Sequence, residues 1–195
     1  MRSTIDKLVS WTGLIVAAVL LVAGGLLMWA ASFANTNVHD QLAAQQITMP
    51  AEESLTTPEM KANLAQYAGE QMTTGAQAKA YADYYILVHM NESSDGRTYS
   101  QVSGEYMQAM QEDPTSEATQ ELGQLRQSLF MGSTLRGLLL NAYAFSVIGM
   151  IAFWASIAAF AGAAGMLVLG LAGLRHGHKA ELLEAPEIET IKATA

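Results

Sequence analysis

The chain has 195 residues, 51% of them hydrophobic, and no cysteine, which excludes disulfides, thiolate metal sites, cysteine nucleophiles and covalent haem attachment through a Cys-x-x-Cys-His run. The formal charge of −8 is uneven: residues 34–136 hold 13 of the 18 acids and 5 of the 10 bases, a net −8, and leave both ends nearly neutral. An acidic middle between neutral apolar ends offers no footing for nucleic acid.

Residues 1–7 carry Arg2 and Lys7, and from Leu8 to Ala34 no charge follows. Trp11 and Trp29 stand 18 positions apart, or ~27 Å of helix, close to one hydrocarbon thickness, and read as interface anchors. Residues 8–34 are expected to form a first transmembrane helix. A secretory signal peptide with cleavage near Ser32-Phe33-Ala34 is the competing reading, but its apolar stretch is ordinarily shorter.

His39 to Pro50 reads as a polar exit, with Ile47-Thr48-Met49 extended or pairing as an edge strand. Thr56-Thr57-Pro58-Glu59 marks a helix start with a capping threonine, a first-turn proline and a glutamate placed for a capping box; that helix is expected to end near Thr73-Thr74-Gly75. A second helix is expected from about Ala76 to Met90, and Asp95-Gly96 breaks it. Thr98 reads as the cap of a third, carrying Val102, Tyr106 and Met110. Asp113-Pro114 interrupts again, and from Ser116 Leu122, Leu125 and Leu129 share one helical face that leads into the second apolar stretch, with Gly132-Ser133-Thr134 as a kink candidate.

Leu138 to Leu174 contains 37 residues without Asp, Glu, Lys, Arg or His. As one helix it would run roughly 55 Å against ~30 Å of hydrocarbon. Its membrane part is expected from about Trp154, at the outer interface, to Leu174. The portion from Leu138 to Phe153 needs other cover, from the chain's own helices and from a neighbour. A tight hairpin turning near Gly162 to Gly165 is disfavoured, because it would place Arg175 and Lys179 outside, against the positive-inside rule.

The fold class is therefore expected to be all-α, two transmembrane helices flanking a small helical extracytoplasmic domain. Residues 1–7 form a cytoplasmic N-terminus, 8–34 the first span, 35–136 the outer domain, 137–174 the long apolar helix with the second span, and 175–195 a cytoplasmic tail anchored by Arg175 and Lys179. In the tail a short interfacial helix through Leu182 and Leu183 is limited by Pro186. Small residues that let helices approach closely are Gly13, Ala17 and Gly24 in the first span, and Ala155, Ala158, Ala159, Gly162 and Gly165 in the second. They serve either the packing of the two spans on each other or a partner helix.

Catalytic and metal signals are weak. His39, His89 and Glu92 are the outer residues from which a facial iron triad could be drawn, and no motif supports it. His176-Gly177-His178 reads as headgroup-level cations rather than a chelate. No Gly-x-Ser-x-Gly elbow and no phosphate loop is present.

The segments QLAAQQITMPAEE, YADYYILVHMNESSDGRTYSQV and TLRGLLLNAYAFSVIGM resemble, in order and spacing, blocks of small two-span membrane proteins of actinobacteria, many of which bear the label aromatic ring-opening dioxygenase. Size, topology and an outward helical domain resemble the small accessory subunit of the actinobacterial cytochrome bcc–aa3 respiratory supercomplex. The resemblance implies a non-catalytic subunit without a cofactor of its own, embedded in lipid in the cell membrane beside cytochrome b or oxidase subunits. A stand-alone membrane-anchored sensor or ligand-binding module is the alternative, and scattered outer carboxylates are either a solvated face or a surface that steers a basic partner.

Overall fold

Two long helices frame the chain. In the computed structural model, which describes the backbone of residues 2–193 and the side chains of residues 5–179, α1 spans Arg2–Ala44 and α6 spans Glu117–Ala193. Both are long and apolar enough to cross a membrane, and only 17% and 11% of their most apolar stretches are buried inside the chain, whereas the core helix of a soluble protein is mostly buried. Between them lie α2 (Pro58–Leu64), α3 (Gly75–Tyr81), α4 (Leu87–Ser94) and α5 (Tyr99–Glu112), with 3-10 turns at Glu52–Ser54 and Ala65–Tyr67. A π-helical segment, Ala82–Ile86, joins α3 to α4 without a break.

The chain divides into a terminal unit, Met1–Ser32 with Met150–Ala195, and a central unit, Phe33–Gly149. The helix expected through Leu182 and Leu183 is the end of α6, and Pro186 does not limit it: the backbone stays helical to Ala193.

The expected first helix is longer than its apolar run. After Ala34 the polar Asn35, Thr36 and Asn37 remain helical because Val38 and Leu42, one turn apart, both enter the core of the central unit, and that burial outweighs weak local propensity. Ile47 to Met49 is extended, with one antiparallel bridge between Thr48 and Gln71. Met49 N–H donates to the Glu70 carbonyl and Met72 N–H to the Ile47 carbonyl, each at 2.8 Å.

This pairing explains why α2 stops at Leu64 and not near Thr73. The 3-10 turn and Gly69, at φ +74°, reverse the chain so that Glu70 to Met72 lie beside Ile47 to Met49. Thr57 caps α2 by accepting from Met60 N–H at 3.1 Å, with Pro58 in the first turn. Glu59 stands one position short of the capping-box site, which Met60 holds, so its carboxylate closes no box here.

The closed capping boxes are at Thr74 with Gln77 and at Thr98 with Gln101. In the second, Thr98 Oγ1 accepts from Gln101 N–H at 3.3 Å while Gln101 Oε1 accepts from Thr98 N–H at 2.8 Å. Thr98→Ala is expected to lower stability by about 1 kcal/mol, the usual cost of a lost N-cap, read as a shift in chemical unfolding of the detergent-solubilised chain. An unchanged midpoint would mean that α5 does not depend on this cap.

The core of the central unit joins Val38 and Leu42 of α1, Met60 and Leu64 of α2, Ala78 and Ala80 of α3 and Leu139 of α6, with Met49, Leu55 and Met72 from the connections. Three buried methionines fill this irregular space, which suits a flexible thioether. Gly132 to Thr134 continues α6 as unbroken helix, with Thr134 Oγ1 donating to the Phe130 carbonyl at 2.8 Å.

Candidate docking face

In the terminal unit α1 and α6 run antiparallel. An added Cβ on Gly13 would meet Met166 and Gly170, whereas one on Gly24 would meet Phe160, so α6 numbers fall as α1 numbers rise. Ser10, Ala17, Gly24 and Ala31 of α1 are buried at intervals of seven, and so are Ser156, Ala163 and Gly170 of α6. A seven-residue period is that of helices packed in a left-handed supercoil, and small side chains let the backbones close. The two serines bond within their own helices, Ser10 Oγ to the Asp6 carbonyl and Ser156 Oγ to the Phe153 carbonyl, each at 2.7 Å, so neither hydroxyl is left unpaired in the seam.

Of the small residues singled out in the sequence, Ala17 and Gly24 lie buried in this seam, and Gly13, Ala155, Ala159 and Gly162 are half-buried. Ala158 and Gly165 are exposed on α6. Ser10, Ala31, Ser156, Ala163, Gly170 and Gly173 were not among those residues, although the interval of seven that links most of them is readable. Trp11, Trp29 and Trp154 are all exposed. The antiparallel register brings Trp29 and Trp154 to one end of the unit, with Trp11 toward the other. Arg175 and Lys179 are exposed as well.

In the central unit one charged cluster ties α6 to the helix beside it. Arg136 donates from Nη2 to Asp83 Oδ1 at 2.9 Å and from Nε to the Ala82 carbonyl at 3.0 Å. Lys79 bonds the other Asp83 oxygen. The π-helical segment makes this possible: the Ala82 carbonyl accepts from Leu87 N–H, five residues on, and still offers a lone pair to Arg136. Sequence reading passes over Arg136, Asp83 and Lys79, although Lys79 and Asp83 stand at helical i,i+4 spacing.

Burial of the Asp83 carboxyl works to raise its pKa, but hydrogen bonds from Lys79 and Arg136, with their charges, outweigh it and hold the group below its usual range. The Asp83 hydrogen bond raises the Lys79 pKa. Because the folded pKa of Asp83 is depressed, its contribution to stability is complete above the unfolded value of 3.8 and is lost as pH falls through the lower folded value. Arg136→Met removes one partner of a half-buried pair and is expected to cost about 2 kcal/mol at neutral pH. It should also move the acid-side loss of stability to higher pH, which thermal unfolding across the acid range would read; an unshifted acid limb would count against the pairing.

Between Arg126 and Arg175 the outward side of α6 carries no charge. Arg136 is the one charged residue between Arg126 and Arg175, and it turns inward to Asp83. Leu139 is buried and Leu140 and Ala142 pack beside it, so the chain's own helices cover one side of the segment after Arg136. The other side is bare: Leu138 is 64% exposed, Phe145 50% and Ile148 57%. Met131, Leu138 and Phe145 recur every seven residues along it, and Phe130 flanks them.

Between this face and α1 lies a groove of about 380 Å³ lined by Leu135, Leu138, Ala142 and Phe145 on one side and by Leu42 and Ile47 on the other, with the carboxamides of Asn37, Gln41, Gln45 and Asn141 along it. The remaining surface of the unit is acidic. Four of its five bases are engaged: Lys79 and Arg136 at Asp83, Arg97 at Glu105 (2.6 Å), and Arg126 over the Tyr106 ring.

His39 and His89 are exposed; a ring nitrogen of His39 lies 3.1 Å from Asp40 Oδ1, and one of His89 lies 2.8 Å from the Tyr85 carbonyl. Glu92 is exposed too. Among the described residues no group of three histidine or carboxylate side chains converges on a point where a metal ion could sit. His176 and His178 are exposed near the end of the apolar run. No family model, curated protein or solved structure matches the chain.

Proposed function

We propose that this protein is a non-catalytic accessory subunit of a membrane respiratory complex, of the kind found in the cytochrome bcc–aa3 supercomplex, and that it works by docking. In this reading α1 and α6 cross the cell membrane with both termini in the cytoplasm, and the central unit stands on the outer side. Arg2, Lys7, Arg175 and Lys179 flank the two spans on one side, as the positive-inside rule requires. Trp11, Trp29 and Trp154 mark the interfaces.

The observation that carries the proposal is the bare side of α6. Leu138 and Phe145 precede Trp154 by 16 and 9 residues, ~24 and ~14 Å of helix, so lipid that ends at Trp154 does not cover them. Exposed apolar surface of that extent marks a protein contact. The size and two-span layout, which resemble the small accessory subunit of that supercomplex, support the choice of complex, and the Asn37, Gln41 and Asn141 side chains along the groove fit a protein neighbour better than hydrocarbon. Purification in mild detergent through a tag on this chain should bring down cytochrome subunits with haem absorbance. Recovery of a lone, stable monomer would defeat the proposal.

A further inference from the structure

We propose that the groove between α1 and α6 in the central unit is the seat of one α-helix from a different protein, uncharged where it lies in the groove and flanked by basic residues. This rests on the docking reading above and names the chemistry of the partner.

Four observations single out that occupant. Leu138 and Phe145 stand seven residues apart on one wall, the interval at which an α-helix presents the same face to a neighbouring helix. No charged side chain lines the groove, so a charged segment would be desolvated there without a counter-ion. Gln45 and Asn141 line it with amide groups, and Gln41, whose Nε2 donates to Asn37 Oδ1 at 2.6 Å, adds its carbonyl oxygen; polar side chains of a helix can satisfy these and acyl chains cannot. Finally, the surrounding unit carries a net −8. A second copy would set that charge against itself across the contact, whereas a partner with basic flanks would be drawn in.

Photo-crosslinking in intact cells tests the assignment. The photoreactive residue p-benzoylphenylalanine replaces Phe145 or Gln41 in the groove, Met107 on α5 outside it, or Val22 in the first apolar stretch. Adducts from positions 145 and 41 are expected to map by mass spectrometry to one helical segment of a single other protein, free of Asp and Glu, while position 107 does not reach that segment and position 22 yields lipid or other apolar adducts. Adding Leu138→Glu should reduce the adduct from position 41 by about tenfold or more, because it buries a carboxylate in the contact.

Adducts from 145 and 41 to lipid, to a second copy of this chain or to an acidic segment would overturn the assignment, as would their absence. Failure of the two proposals is distinguishable. If haem subunits co-purify but positions 41 and 145 give no protein adduct, the groove assignment fails and the accessory role stands. If the adduct is to a helix of a protein outside any respiratory complex, the groove stands and that role fails.

Discussion

Gly75→Val is expected to destabilise the central unit by about 3 kcal/mol, the upper part of the range for forcing extra atoms into a packed contact. Gly75 opens α3 and lies against α6. A Cβ there would overlap Ser146 Oγ and stand 2.6 Å from Ser146 Cβ and 3.1 Å from Tyr143 Cα. The serine hydroxyl can rotate away, but Tyr143 Cα is main chain and cannot. Relief therefore requires α3 to move off α6, and with it the Thr74–Gln77 capping box, in which buried Gln77 accepts from Thr73 N–H at 2.8 Å and Thr74 N–H at 3.0 Å. The loss should appear as a fall in Tm of ~10 °C or more. Ser146→Gly in the same chain removes two of the three contacts and should recover part of it. Additive effects of the two substitutions would show that the residues do not touch.

Gly170→Leu should have a comparable effect in the terminal unit, about 2–4 kcal/mol, because small residues set the approach of the two helices. Its Cβ would meet Leu14 Cδ2 at 3.0 Å, Leu14 Cγ at 3.1 Å and the Ser10 carbonyl oxygen at 3.2 Å. The leucine can change rotamer, but the carbonyl belongs to α1 itself, so the seam must open. Gly165→Leu is the matched control, since nothing lies within 4 Å of a Cβ there. Unfolding in mild detergent should separate the two variants clearly. Equal loss from both would place the contact between α1 and α6 on a different face.

The two apolar helices were readable because nothing competes with an uncharged run of that length, and the starts at Thr57 and Thr98 because a capping threonine has a local cause. Features set by distant contacts were not readable. The π-helical segment is held by Arg136, 54 residues further along the chain from Ala82, and no spacing around Ala82 announces it. The early end of α2 follows from the pairing of Gln71 with Thr48, which neither stretch signals alone. The continuation of α1 to Ala44 depends on what Val38 and Leu42 pack against.

The packing seam was half legible. Glycine and alanine mark Ala17 and Gly24, whereas Ser10 and Ser156 carry no such mark in the sequence, although a serine bonded to its own helix packs much as an alanine does. The uncharged outward side of α6 follows from the scarcity of charge after Arg126. Which of its residues lie bare required the position of Leu139 in the core, which sets the rotation of the helix.

The most direct measurement is thiol reactivity at Phe145→Cys, which is clean because the chain has no cysteine of its own. A hydrophilic maleimide is applied to permeabilised native membranes and to the isolated chain in detergent, with Met107→Cys as an exposed reference. If protein covers this face of α6, position 145 should be protected in native membranes by about tenfold or more relative to position 107, and become reactive once the chain is isolated. Equal reactivity of position 145 in both states, with position 107 labelled throughout, would show the face open to water and contradict the docking role.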